Sequence, residues 1–481
     1  MRSKTGCRLR VLAAALAACT FTAGAYAQTD NEALKQQIDA LQRQINELKA
    51  SMERGAAPAP SPSTPPPATA RSTRMPVGAD SYVELYGHLD LSLDDITKGL
   101  SGKVQDGVAA GGKTGWMPDL SSNLSRIGVR GARKLGDTGL RGIFQIETQV
   151  DVSATPGEST VPDNAIKGAF ASRNSFLGLA GGFGAVKAGK TDAPYKLSTG
   201  RMDPFSATVG DYNAIMANTG GDNRAEFDTR LSHSIWYESP KMGGLRINAL
   251  FSPGQNRSSD NSVTAAGEPD CTGGNQPPCN DGAFGNVYSA AAIWESGPLY
   301  AIAAYEVHKD VNRQGDDANG GGTAPAGAVG VADERAWKVG LQYKFPTRTT
   351  VNAIYERMTR NARDPASNER QRNGYWLALT QKISPTDDFN LGWAHAGKTL
   401  GDPIQGPVDN ESNLYSIGYK HHFDRQTTWY AVYARQANHS GAHFDLGASG
   451  HGITTDCKDY TGFCFFGGTL QAFSIGATYD F

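Results

Sequence analysis

From residue 80 onward the chain is one short stretch after another in which apolar and polar residues alternate. A period of two sends successive side chains to opposite faces, so each stretch reads as a strand with one apolar and one polar face. Leu140, Phe144, Ile146 and Val150 share one face, and Arg141, Gln145, Glu147 and Gln149 the other. Leu245, Ile247, Ala249 and Phe251 likewise oppose Arg246, Asn248 and Ser252. About sixteen such stretches follow one another, at 81–90, 125–130, 140–151, 171–180, 184–191, 230–239, 244–252, 286–295, 299–308, 334–345, 350–358, 374–381, 388–396, 413–423, 428–435 and 469–481. Their connections alternate between tight turns, such as 181–183 and 240–243, and long Gly-rich loops, such as 253–285, 310–333 and 437–468. Turns then gather at one rim and loops at the other. This predicts an all-β fold, a transmembrane antiparallel β-barrel with an even strand count and its short turns toward the periplasm. A soluble sandwich also alternates but has no such segregation of its connections. The mean hydropathy of −0.43 fits a barrel whose inner face is polar. Past the N-terminal leader no stretch offers the ~18 apolar residues of a membrane helix.

The chain ahead of the barrel is organised for export. Arg2, Lys4, Arg8 and Arg10 precede the apolar run 11–18, and Ala25-Tyr26-Ala27 is a small-x-small cleavage site, so residues 1–27 read as a signal peptide. Leu16-Ala17-Ala18-Cys19 is a rival, lipoprotein-type cleavage box. Of 46 basic residues the leader takes four, leaving 42 against 48 acids, a net of −6 that gives nucleic acid no electrostatic footing. Residues 28–54 read as a helix with a coiled-coil seam, Ile38, Ile45 and Met52 at a and Leu34, Leu41 and Leu48 at d. Residues 55–79 are a Pro/Ala-rich linker, and 80–481 the barrel. Once the leader with Cys7 and Cys19 is gone, Cys271 and Cys279 form one close pair and Cys457 and Cys464 another. In an oxidising compartment each pair is expected to close a local disulfide. His439, His443 and His451 upstream of Cys457 fit no zinc spacing, so no metal site is expected.

Residues 190–230 are too long and too polar for an ordinary connection. They are expected to fold inward and narrow the lumen, with Asp203, Asp211, Asp222, Glu226 and Asp228 as candidate lining acids. Alternation turns Arg126 and Arg130 inward, and Arg173 and Arg230 begin neighbouring stretches on the same side. Guanidinium stays charged at any working pH, so these four predict a permanently basic wall. The run 184–191 matches the phosphate-binding P-loop pattern, but it alternates like a strand and no helix follows, which the motif requires. No nucleophile elbow, HExxH pair or other catalytic set is present, so neither an enzyme nor a cofactor is expected.

With these features in place, the chain resembles the trimeric general porins of Gram-negative outer membranes, most of all the beta-proteobacterial type. The matching pieces are Leu85-Tyr86-Gly87, the runs 125–131, 172–179, 183–195 and 230–240, and the aromatic-rich end 473–481. The resemblance implies an outer-membrane homotrimer in contact with lipid and lipopolysaccharide. It also implies delivery by the barrel-assembly machinery through terminal Phe481. The channel would pass small hydrophilic solutes, and a charged constriction would set size and charge selectivity. In that family a third loop faces arginines from strands matching those of Arg126, Arg173 and Arg230. Two departures stand out: the added helix and linker, and the lack of the family's short acidic loop motif. A channel preferring small anions such as dicarboxylates or phosphate, and a barrel for surface display or cell-wall tethering, are the alternatives.

Overall fold

A computed structural model of the chain describes residues 73–78, 80–97, 104–105, 108–109, 116–153, 170–216, 227–253, 286–312, 331–360, 371–398, 409–442, 444, 446 and 467–481. The expected signal peptide, the helix 28–54, Asp222, Glu226 and all four remaining cysteines lie outside them.

Sixteen strands close into one antiparallel barrel. In chain order they are β1 (Ser81–Thr97), β2 (Met117–Ser122 with Arg126–Lys134), β3 (Arg141–Gln149), β4 (Ser175–Gly181), β5 (Gly184–Asp192) and β6 (Arg230–Glu238). Then come β7 (Leu245–Pro253), β8 (Asn286–Ser296), β9 (Leu299–Asn312), β10 (Val331–Lys344) and β11 (Thr349–Arg360). The last five are β12 (Arg372–Lys382), β13 (Asp387–Ala396), β14 (Ser412–His422), β15 (Thr427–Asn438) and β16 (Thr469–Asp480). Each pairs with the next, and β16 closes on β1 with His88 opposite Asp480. Phe481 completes the seam by exchanging backbone hydrogen bonds with Gly87 at 3.0 and 3.1 Å. Closure leaves no strand edge, which a bilayer demands because it offers backbone groups no partner.

Three boundaries differ most from expectation, the first being the end of β1, which runs to Thr97 rather than stopping at Asp90. The second strand is longer, because Met117–Ser122 pairs with the upper half of β1 while Arg126–Lys134 pairs with the lower half. A break at residues 123–125 separates the halves. There fully buried Asn123 donates to Asp90 and Ser92 of β1 and to the Tyr430 hydroxyl of β15, while its backbone N–H bonds Asp90 O at 2.9 Å. The last residues of the expected linker, Arg74–Gly78, form a short exposed strand on β1, with Arg74 opposite Glu84.

Alternation sorts the side chains as the pattern requires. Leu85, Ile127, Ile146, Leu177, Val339, Leu377 and Ile475 are exposed on the outer face. Glu147, Asn248, Lys338, Asn352 and Asn390 lie on the inner one and are buried. At the turn after β4, Gly184 has φ +106° and a Cβ there would sit 2.2 Å from the Glu238 carbonyl oxygen, so glycine is required. The apolar core is not between sheets. It lies between the inner wall and the chain that follows β5.

Candidate functional site

That chain is the inward loop. It starts as the helix α1 (Pro194–Thr199), continues through a short turn of 3-10 helix at Gly200–Met202 and another at Tyr212–Ala214, and returns to β6. Its neck packs Tyr195 and Phe227 against Trp236, Leu250, Val287 and Met358. Its far part packs Met202, Phe205, Val209, Tyr212, Ile215 and Met216 against the inner-wall residues Ile302, Ile354, Trp376 and Val432. Glycines clear the space: a Cβ on Gly392 or on Gly418 would come within 2.9 Å of the Phe205 ring. Polar contacts fix the register. Trp376 Nε1 donates to Met202 O at 3.1 Å, Ser416 Oγ to Gly210 O at 3.0 Å and Tyr300 OH to Ser198 O at 2.7 Å. The loop therefore crosses the lumen and lies against β9 to β15.

Three of the five candidate loop acids, Asp203, Asp211 and Asp228, lie among the described residues. Asp203 accepts from the backbone N–H of Phe205 at 2.8 Å and of Tyr212 at 3.3 Å. Asp211 accepts from Ala207 N at 2.9 Å and Asn213 N at 2.8 Å. Both are buried; they satisfy turn N–H groups that no ladder serves. Asp228 is buried too and pairs with Lys338, whose Nζ lies 2.5 Å away. Lys338 also donates to Thr199 Oγ1 at 2.8 Å and sits 4.0 Å from the Tyr195 ring centroid, while the Tyr195 hydroxyl donates to Glu356 at 2.6 Å. Asp203, Asp211 and Asp228 hold the loop together and in place rather than lining the pore. Sequence reasoning missed Lys338 and Glu356, which read as ordinary inward polar residues of an alternating strand.

On the opposite side of the lumen three of the four arginines come together. Arg173 Nε lies 2.8 Å from Glu147 Oε1, and Arg126 Nε 3.8 Å from Glu147 Oε2. Arg230 lies 3.1 Å from Asp192 and donates to Asn174 Oδ1 at 2.8 Å. Asn174 donates in turn to Asp192 at 2.8 Å, and Lys196 at the start of the loop lies 3.3 Å from the same carboxylate. Tyr86 OH donates to Glu147 at 2.9 Å. Around this network four cations meet two carboxylates, an excess of two positive charges. Two acids that were not among the candidates, Glu147 and Asp192, stand beside these cations. Arg130 is not in this group. It makes two 3.0 Å bonds to Glu84 and stacks over Tyr86 nearer the turn rim.

Among the described residues one triad could bind a cation, Asp409, Glu411 and His439 at the loop rim. His439 Nδ1 lies 3.1 Å from Asp409 and Lys398 3.3 Å from it, so protein donors already occupy its carboxylate.

A closed sixteen-strand barrel with an aliphatic exterior, a charged interior and a lumen narrowed by an inward loop is an outer-membrane channel. A profile of the Gram-negative porin family matches residues 13–441. The chain belongs to that family, and its water-filled barrel passes solutes across the outer membrane by diffusion. It is 24% identical over 373 residues to outer membrane porin protein 32 of Delftia acidovorans, covering 77% of this chain and 88% of that one. It is 30% identical over 183 residues to the major outer membrane protein P.IB of Neisseria sicca, covering 38% of this chain and 45% of that one. In fold it is similar to the anion-selective porin from Comamonas acidovorans, with a TM-score of 0.60 and 19% identity, covering 83% of this chain and all of that one.

Proposed function

We propose that this porin is a passive channel with a modest preference for small anions, set by the wall formed by Arg126, Arg173 and Arg230. The observation that carries this reading is the excess of two cations around Glu147 and Asp192, with Arg126 and Arg230 on strands, Arg173 just ahead of β4 and Lys196 in α1. Opposite unit charges 4 Å apart in water attract by about 1 kcal/mol, and about 1.4 kcal/mol is tenfold. The preference is therefore severalfold, not absolute, and salt screens it.

Self-association as a homotrimer belongs to the same reading. The exposed large apolar side chains within β1 to β5 are aliphatic, Leu85, Leu93, Leu120, Ile127, Leu177 and Val186 among them, with Trp116 and Phe183 the exposed aromatics at their ends. From β8 to β14 the exterior instead carries Tyr288, Trp294, Tyr305, Trp337, Tyr375 and Tyr415. Aromatic belts mark lipid–water interfaces, so the sector poorer in aromatics suits a protein neighbour.

The test is the zero-current potential across a planar bilayer in a salt gradient. Replacing Arg126, Arg173 and Arg230 with glutamine should move it toward cation preference, more at low salt than at high. An unchanged potential refutes the assignment. Cross-linking of the native protein should give a trimer, and a monomer would refute the sector argument.

A further inference from the structure

At the turn rim the inner wall of β6 to β9 recedes beneath the loop into a cavity of about 440 Å³. Arg201, Lys241, Arg246, Asn248, Glu295 and Tyr300 line it. Most of its charge is already matched. Arg201 lies 2.9 Å from Glu295 and 4.2 Å from the Tyr300 ring centroid, and Lys241 lies 3.5 Å from Glu295. Glu238, also on this wall, is held by Lys187 at 2.8 Å and by Trp236 Nε1 at 3.0 Å. Two groups are left over. Arg246 forms no ion pair among the described residues. Asn248 stands two residues along the same face of β7, about 7 Å away by strand geometry. It is only 8% exposed, and its Oδ1 accepts no hydrogen bond among the described residues. A buried acceptor without a donor costs free energy that a partner can recover. A guanidinium offers a fork of donors shaped for a carboxylate.

We infer that this recess is a subsite for small hydroxycarboxylates, with the carboxylate on Arg246 and the hydroxyl donating to Asn248 Oδ1. A neutral donor fits better than an ammonium. The recess holds three cations, Arg201, Lys241 and Arg246, against two carboxylates that already have partners, so a second positive charge on the ligand is repelled. The site lies on the turn side of the loop, apart from the arginine wall. It catches a solute at the periplasmic mouth. The inference rests on the reading of the chain as an open pore.

The experiment compares lactate with propionate, anions of one charge that differ by a hydroxyl. The full-length protein is reconstituted in planar bilayers. Conductance is measured against concentration of each sodium salt and normalised to the same channel in potassium chloride. Lactate should saturate at a concentration about two- to tenfold lower than propionate, the worth of one hydrogen bond. Asn248→Leu should abolish that difference, and Arg246→Gln should raise the saturating concentration of both salts. Asn248→Asp is a conservative second variant that keeps an acceptor and adds repulsion, so it should weaken both anions while preserving their order. Equal saturation in the native channel, an undiminished difference in Asn248→Leu, or stronger saturation by zwitterionic alanine than by lactate would overturn the subsite. A native protein that fails to conduct potassium chloride would instead overturn the pore reading.

Discussion

Replacing Lys338 with methionine tests how the constriction loop is held. The ammonium and the Asp228 carboxylate are both 2% exposed and lie 2.5 Å apart. Methionine fills similar volume, so the change removes charge more than packing. It strands Asp228 in a buried site, and breaking a buried pair from one side costs about 3–5 kcal/mol. The Thr199 contact and the position over the Tyr195 ring are lost with it. At about 1.4 kcal/mol per decade, the docked-to-undocked ratio of the neck falls by about two to three and a half orders of magnitude. The far part stays anchored by Phe205, Trp376 and their neighbours, so the loop rocks rather than leaves. Single-channel recording should show a noisier open level and closures at lower voltage than the native protein. Lys338→Met with Asp228→Leu removes both charges, a change that is often near neutral, and should restore a quiet trace. A quiet trace from Lys338→Met alone, or a double variant as noisy as the single one, would refute the latch.

Trp376→Ala deletes a fully buried ring from under Phe205 and Tyr212, together with its bond to Met202 O. A loss of about 3–5 kcal/mol should loosen the loop and raise the entry of disaccharides relative to monosaccharides in liposome swelling; an unchanged ratio contradicts the packing account. Gly184→Val places a Cβ into the Glu238 carbonyl at a backbone angle valine avoids. It should abolish the compact, fast-running band of the unheated protein, and a normal band would show that the turn can rearrange. Asp424, in the turn after β14, accepts from the backbone N–H of Gln426 at 2.8 Å and Thr427 at 2.7 Å, which holds its carboxyl below the usual range. A lowered pKa stabilises the folded state above the ordinary carboxylate pKa and loses that contribution as pH falls through the folded value. The melting-temperature gap between native protein and Asp424→Ala should therefore be full above about pH 4 and close in stronger acid; a pH-independent gap would refute the sign.

The barrel was legible because lipid and water impose opposite demands on alternate residues, and a period of two survives in the sequence however the rest varies. The sixteen stretches found from it match the sixteen strands to within a few residues at most ends. Met117–Ser122 was lost because its ladder is long for a tertiary reason: Ser121 donates to Asp94 at 2.6 Å, while Pro118, Asp119 and Ser122 look like a turn. The arginine wall was partly legible. Alternation placed Arg126 inward, and Arg173 and Arg230 followed from neighbouring stretches. Arg130 points the same way but sits too near the rim and meets Glu84 instead. The roles of the acids were not legible, because an acid's role depends on its partner. The partner of Asp228 is 110 residues away on another strand. The partners of Asp203 and Asp211 are backbone N–H groups that carry no sequence signature. One signal was available. Gly340, Gly392 and Gly418 fall at inward positions of three strands, where side chains would meet Met202 or Phe205. Small residues on the face of a wall that should be lined with polar groups mark where something packs against it.

On the proposed reading, size and charge selectivity rest on different parts of the molecule, because the described acids of the loop are consumed in holding it. The loop's docking sets the aperture through Phe205, Trp376 and the Lys338 latch, contacts made on the inner face of β9 to β15. The balance of charge is set across the lumen, where Arg126, Arg173, Arg230 and Lys196 outnumber Glu147 and Asp192. Had Asp203, Asp211 and Asp228 faced that wall, every displacement of the loop would also have changed the field, and the two selectivities would move together. With those carboxylates bonded to backbone N–H groups and to Lys338, loosening the loop widens the pore while leaving Arg126, Arg173 and Arg230 where they were. Sites more than 7–10 Å apart with no shared partner act additively. A variant at Trp376 should therefore change which sugars pass without moving the zero-current potential, and the triple arginine variant should move that potential without changing the sugar cut-off. Coupling between the two would refute this separation.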